Sequence, residues 1–88
     1  MYRYATTARA LRALMAEYPD ENPSVFLRDD SFAAYCYDRL TVKELKSAFN
    51  RDPDPDDCIR WNLSPLEWKE NVEMALISLS PKRSEKSK

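Results

Sequence analysis

The sequence predicts an all-α fold, a small bundle of about four helices with a disordered tail. Apolar residues recur at three- and four-residue steps in the first and last segments of the chain. Two capping boxes, in which a Ser or Thr and a Glu three residues later satisfy the free N–H groups of a helix start, precede apolar runs. None of the 88 residues is glycine, and the tight hairpins of β-proteins depend on glycine.

The first helix is predicted over residues 3–18. Five side chains recur at helical spacing and share one face: Tyr4, Ala8, Leu11, Met15 and Tyr18. Pro19 disfavours helical geometry in the residue before it, so the helix is expected to end near Tyr18.

The second helix is predicted over residues 30–39, after a short turn around residues 24–28. Apolar residues continue at helical spacing through this segment. One continuous helix over residues 24–40 is the alternative. Asp29 and Asp30 would then lie in its middle, which makes the alternative less favourable.

The third helix is predicted over residues 42–49. Thr41 and Glu44 form its capping box, because the Thr hydroxyl accepts from the third backbone N–H and the Glu reaches back to the cap. Leu40 and Leu45 are placed on either side of the cap to pack as a hydrophobic staple.

The last helix is predicted over residues 65–79. Ser64 and Glu67 repeat the capping box, and Leu63 and Trp68 repeat the staple. Trp68 begins the apolar stripe of this helix and is therefore predicted to be a core anchor.

The domain organisation is predicted to be a single helical domain over residues 1–80. At 88 residues and 10.3 kDa the chain is long enough for one domain. Residues 81–88 are polar and charged with no apolar side chain, so a disordered basic tail is predicted there.

Two residue types are missing, and their absence excludes much chemistry. Without histidine there is no His-assisted nucleophile, His-containing zinc site or imidazole switch. Without glycine there is no Gly-rich phosphate loop. The chain is therefore predicted not to be an enzyme, with no catalytic residue and no cofactor.

Cys36 and Cys58 are the only cysteines. A small secreted chain usually carries four or more, so both are interpreted as reduced thiols, and Cys36 as a core residue. No apolar run is long enough to span a bilayer, and no signal peptide is recognisable, so a cytoplasmic location without membrane contact is predicted.

Carboxylate pairs are the remaining candidates for catalysis. Asp29 with Asp30 and Glu70 with Glu73 lie on segments expected to be exposed. A general acid needs burial to raise its pKa, so neither pair is predicted to be catalytic.

An acidic stretch at residues 52–57 has the alternate aspartates of an EF-hand calcium loop. Its sixth position is Asp57 where the loop needs glycine, and its twelfth is Leu63 where the loop needs a bidentate Glu. The stretch is interpreted as a solvated connector that is stiffened by prolines and caps the next turn, and no metal site is predicted. An acidic contact surface for a basic partner is the alternative.

The aromatic residues are too numerous for one small core. Tyr35 and Tyr37 flank Cys36 and would point about 200° apart on a helix, so one of them should face solvent or a partner. Tyr and Trp are enriched at interface hot spots, which makes Tyr37 and Trp61 candidates for a functional patch.

By elimination the predicted function is a non-catalytic protein–protein interaction module, acting as an adaptor, accessory subunit or inhibitor. Residues 1–16 carry a charge of +3 and residues 17–60 carry −5, and such an uneven field steers encounters and selects partners. The partner is another protein of unknown identity, and a homodimer is left open. The candidate partner-binding residues are Asp29, Asp30, Tyr37, Asp54, Asp56, Asp57 and Trp61.

The alternative is a nucleic-acid-directed function, either binding through the basic ends or acidic mimicry of nucleic acid. The acidic middle of the chain repels phosphate, and mimics usually carry far more negative charge than the net −1 found here. Nucleic acid is therefore not the expected partner.

Overall fold

A computed structural model describes residues 4–79 of the chain. Within that range the chain contains no β-strand, and the all-α prediction is confirmed. The elements are α1 (Ala8–Glu17), a short 3-10 helix (Pro23–Phe26), α2 (Phe32–Arg39), α3 (Val42–Phe49), α4 (Pro55–Trp61) and α5 (Pro65–Leu79). The tail prediction for residues 81–88 lies outside the described residues.

Both capping boxes form as predicted, and α3 and α5 have the predicted bounds. The Thr41 hydroxyl accepts from the Glu44 N–H at 3.1 Å, and the Glu44 carboxylate accepts from the Thr41 N–H at 2.9 Å. Ser64 and Glu67 exchange the corresponding bonds at 3.1 and 2.9 Å. Local sequence is therefore sufficient to fix the start of each of these helices.

Replacing Thr41 with Ala should lower the free energy of unfolding by about 1 kcal/mol, because it removes the cap acceptor. Urea denaturation measures the change. Ser47→Ala is the matched control, since Ser47 is exposed within the same helix and alanine is the better helix former. Equal stabilities for the two variants would show that the Thr41 cap contributes nothing.

The first helix is shorter than predicted, because it begins at Ala8 rather than at residue 3. Thr7 is extended (φ −139°, ψ 160°), and its side chain accepts from the Ala10 N–H at 3.0 Å. Before it, the Ala5 N–H donates to the Phe26 carbonyl at 2.9 Å. This tertiary bond holds the segment extended, and Tyr4 is exposed instead of extending the helical face.

The acidic connector predicted at residues 52–57 contains the start of a helix, α4, that was not predicted. Asp54 is its N-cap and accepts from the backbone N–H two residues later at 2.9 Å, and Pro55 occupies the first helical position. The helix ends at Asn62 in the left-handed region (φ 57°, ψ 47°), where Asn substitutes for the missing glycine. The predicted cap of the next turn is therefore the N-cap of a helix, and Pro55 and the aspartates after it form the first turn of that helix.

Residues 24–40 form two elements and not the one continuous helix of the alternative. The 3-10 helix occupies the place of the predicted turn, and a turn at residues 28–31 separates it from α2. Ser31 then caps α2 by accepting from the Ala34 N–H at 3.1 Å. The second helix accordingly begins two residues later than predicted.

Helix α5 is the centre of the fold and packs against α1, α2, α3, α4 and the 3-10 helix. It joins two core clusters. The α1 cluster consists of Ala5, Ala8, Leu11, Leu14, Phe26, Leu27, Ala33 and Met74. The Trp68 cluster consists of Phe32, Cys36, Leu45, Ala48, Cys58, Trp68, Val72 and Ala75. Trp68 is 4% exposed, which confirms it as a core anchor.

Two carboxylates of α5 hold α1 in place. The Ala8 N–H at the start of α1 donates to the Glu70 carboxylate, and Glu73 forms a salt bridge with Arg12 at 3.0 Å. Glu70 and Glu73, considered above as a possible acid and base, thus have structural roles. Glu70 accepts from the first turn of α1, and Glu73 pairs with the positive charge of Arg12.

Candidate partner-binding surface

A row of aromatic rings runs from the core to the surface. Phe32 and Tyr35 lie one turn apart on α2, and Trp61 is the last residue of α4. The Phe32 ring centroid is 5.7 Å from that of buried Trp68 and 5.1 Å from that of Trp61. Trp61 in turn lies 5.2 Å from Tyr35, which is 42% exposed. The two outer rings, Tyr35 and Trp61, are called the aromatic pair below.

Trp61 lines two concave regions of the surface. One, of about 300 Å³, lies between α2 and α5 and includes Asp30 and Asn71 in its lining. The other, of about 200 Å³, lies among α2, α4 and α5 and includes Tyr35 and Asp57. Trp61 and Phe32 line both regions, and Trp61 is the more exposed of the two.

An acidic corner, defined as Asp52, Asp54, Asp56 and Asp57, surrounds the start of α4. None of the four forms a salt bridge within residues 4–79, where the salt bridges are Arg12–Glu73 and Arg28–Asp30. Asp56 and Asp57 lie in the first turn of α4, where the helix dipole favours negative charge. The corner therefore helps to start α4 and also presents unneutralised carboxylates to solvent.

The predicted site residues fall into two groups. Trp61 shares one concave region with Asp30 and the other with Asp57. The remaining predicted acids are exposed, Asp29 in the turn before α2 and Asp54 and Asp56 at the start of α4. Tyr37 is apart from them. It is half-buried, packs against both core clusters and lines neither concave region.

Tyr35 is the functional candidate that the sequence did not single out. The spacing indicated that either Tyr35 or Tyr37 faces solvent, and the structure places Tyr35 outside with the Arg39 guanidinium 5.9 Å from its ring centroid. Ile59 and Leu66 were also missed, and they are 77% and 84% exposed at the α4–α5 corner. Ile59 could be placed on a surface only once α4 was known to be a helix.

Cys36 and Cys58 are both free thiols and both buried. Burial, together with the negative charge of Asp57, raises the pKa of the Cys36 thiol to about 12. A thiol held neutral is a poor nucleophile, so Cys36 acts as a small apolar core residue, as predicted.

The stability of the fold should fall as pH rises from 9 to 12, in part because of Cys36, whose pKa is about 12 in the folded chain against 9.0 ordinarily. In this window the unfolded thiol loses its proton and the folded thiol keeps it, which favours unfolding. Cys36→Ala should have a shallower slope than the wild type when urea denaturation is repeated at several pH values. Parallel slopes would contradict the raised pKa.

No three Cys, Asp or Glu side chains within residues 4–79 come close enough together to hold a metal ion. In the same range, no helix has the length and apolar character needed to cross a membrane. No protein-family model, curated protein or solved structure matches the chain.

Proposed function

We propose that the protein is a non-catalytic interaction module, an adaptor, accessory subunit or inhibitor, that binds a protein partner through the aromatic pair and the acidic corner. The observation that carries the proposal is the partly exposed pair of Tyr35 and Trp61, with ring centroids 5.2 Å apart. Both line one concave region, and Trp61 also lines a second. Tyr and Trp are enriched among the hot-spot residues of protein interfaces, which cluster in well-packed pockets.

The aromatic pair packs against a buried side chain of the core, Phe32. Phe32 is 7% exposed and lies against both Trp61 and the core anchor Trp68. Side chains already held in place lose little rotational freedom when a partner binds. The pair is thus preorganised, which favours a role in binding over a purely incidental exposure.

The charge of the described chain favours a basic partner surface. Residues 4–79 contain nine Lys or Arg and fourteen Asp or Glu. The acidic corner concentrates four of these acids without a salt bridge in that range. Such charge accelerates encounter with a positive surface and disfavours contact with phosphate, so a protein is preferred to nucleic acid as the partner.

Affinity capture from lysate of the native cells, with quantitative mass spectrometry, tests this surface. Asp54→Asn/Asp56→Asn removes two charges while Asn retains the ability to cap α4. The matched control is Glu17→Gln/Asp20→Asn, two exposed acids at the far end of α1. Proteins captured by the wild type and by the control should be depleted with the acidic-corner variant.

Two results would contradict the proposal. Equal capture by the acidic-corner variant, by Tyr35→Ala and by the wild type would show that the partner binds elsewhere. Loss of all captured proteins on nuclease treatment would instead support the nucleic-acid-directed alternative.

A further inference from the structure

The concave region among α2, α4 and α5 is the more enclosed of the two beside Trp61, and it is called the Trp68 cavity below. Its floor is made of buried side chains, chiefly Phe32, Trp68 and Val72. Arg51 and Arg60 also line it and are exposed, so they lie on its open side. The cavity therefore has an apolar, largely aromatic floor and a charged mouth.

The size of the Trp68 cavity suits a single aromatic ring with a short substituent. Its volume is about 200 Å³, and an apolar cavity of about 150 Å³ accommodates benzene. Aromatic walls add favourable ring–ring contacts to the burial of apolar area. The floor is thus matched to a flat apolar group.

The charges at the mouth select an anion. Arg51 and Arg60 form no salt bridge within residues 4–79, and Asp57 is the one acidic side chain in the cavity lining described. Two guanidinium groups thus outnumber the one carboxylate of the lining, while the other three acids of the acidic corner lie outside it. Guanidinium groups bind carboxylates through paired N–H donors, with charge-assisted bonds stronger than neutral ones.

The floor also contains a hydrogen-bond donor without an acceptor. The Trp68 indole N–H is buried and has no partner within residues 4–79. Buried donors are nearly always paired in folded proteins.

We propose that the Trp68 cavity binds a small aromatic carboxylate, either a free acid or the C-terminal aromatic residue of a peptide. The ring lies against Phe32, Trp61 and Trp68, and the carboxylate contacts Arg51 and Arg60. Its test uses small molecules and short peptides rather than the captured partner, so the site stands or falls independently of the proposed function.

Titration of the ¹⁵N-labelled chain with phenylacetate tests the site. The chain has two tryptophans, Trp61 and Trp68, and both line the cavity, so both indole N–H signals report on it. The expected result is a saturable shift of these signals with a Kd of about 1 mM or tighter. Phenylacetamide, an uncharged molecule of the same shape, should bind about tenfold more weakly.

A matched pair of variants tests the role of the arginines. Arg51→Gln/Arg60→Gln should weaken phenylacetate binding about tenfold. Lys43→Gln/Lys46→Gln removes the same charge from exposed positions of α3 outside the cavity and should bind as the wild type does. No saturable shift, equal binding of the amide, or equal binding by the arginine variant would each overturn the proposal.

A short peptide ending in Phe, with a free or an amidated C-terminus, distinguishes the two sources of the ligand. Tighter binding of phenylacetate than of the free-carboxylate peptide supports a free acid. The reverse order, with loss of binding on amidation, supports a peptide terminus.

Discussion

Trp68→Ala should destabilise the protein by about 3–5 kcal/mol, the cost of emptying a large aromatic site in a core. Trp68 is 4% exposed and touches the cluster formed by α2, α3, α4 and α5. Small domains have about 5–15 kcal/mol of stability in total. The variant is therefore expected to melt far below the wild type, as measured by circular dichroism at 222 nm.

Trp68→Phe is the informative control for this position. It keeps an aromatic ring in the site and removes the indole N–H, which is buried without an acceptor in residues 4–79. Relief of that unpaired donor, worth about 1–3 kcal/mol, offsets part of the lost ring contact. Trp68→Phe should lie within about 1.5 kcal/mol of the wild type. If Trp68→Phe melts at the same temperature as Trp68→Ala, the aromatic ring is not what stabilises this cluster.

Phe26→Ala should cost a similar amount, about 3–5 kcal/mol, although Phe26 lies in the other cluster. Phe26 is the last residue of the 3-10 helix, and its side chain is fully buried. Its ring centroid is 6.0 Å from that of Tyr18. Its carbonyl also accepts the Ala5 N–H that holds the segment before α1. Chemical denaturation followed by tryptophan fluorescence and by circular dichroism measures the loss.

Val25→Ala is the matched control, because Val25 is the neighbouring residue and is 38% exposed. Its expected effect is about 0.5 kcal/mol or less. Both tryptophans lie in or beside the Trp68 cluster, so Phe26→Ala also tests cooperativity between the clusters. A fluorescence transition that stays at the wild-type midpoint would show that the clusters unfold separately.

The fold was predictable where local chemistry decides it. Thr41 and Ser64 begin helices at the predicted residues, because each capping box is complete within four residues of sequence. The start of α1 was not predictable, because a hydrogen bond from the Ala5 N–H to the Phe26 carbonyl, distant in sequence, competes with extension of the helix. Helix α4 was missed because Asp and Pro are favoured both in turns and at helix starts, so Asp54 and Pro55 fit either structure.

The candidate site was predictable only in part. Trp61 and the acids of α4 were identified from composition, and the structure places Trp61, Asp30 and Asp57 around shared concave regions. Helical spacing shows that Tyr35 and Tyr37 point in different directions, but it does not decide which of the two faces outward. The answer depends on which face of α2 packs on α5, and that is settled by tertiary packing rather than by helical period.

Tyr35→Ala tests most directly whether the aromatic pair is a binding surface. The ring is 42% exposed and contacts Phe32 and Trp61, so its removal should cost only about 0.5–1.5 kcal/mol of stability. A hot-spot role instead implies a loss of affinity of more than about tenfold. The measurement is calorimetric titration of the captured partner with Tyr35→Ala and with Val25→Ala. A large loss of affinity for Tyr35→Ala alone, with both variants folded, is the expected result; wild-type affinity for Tyr35→Ala would contradict the assignment of this surface.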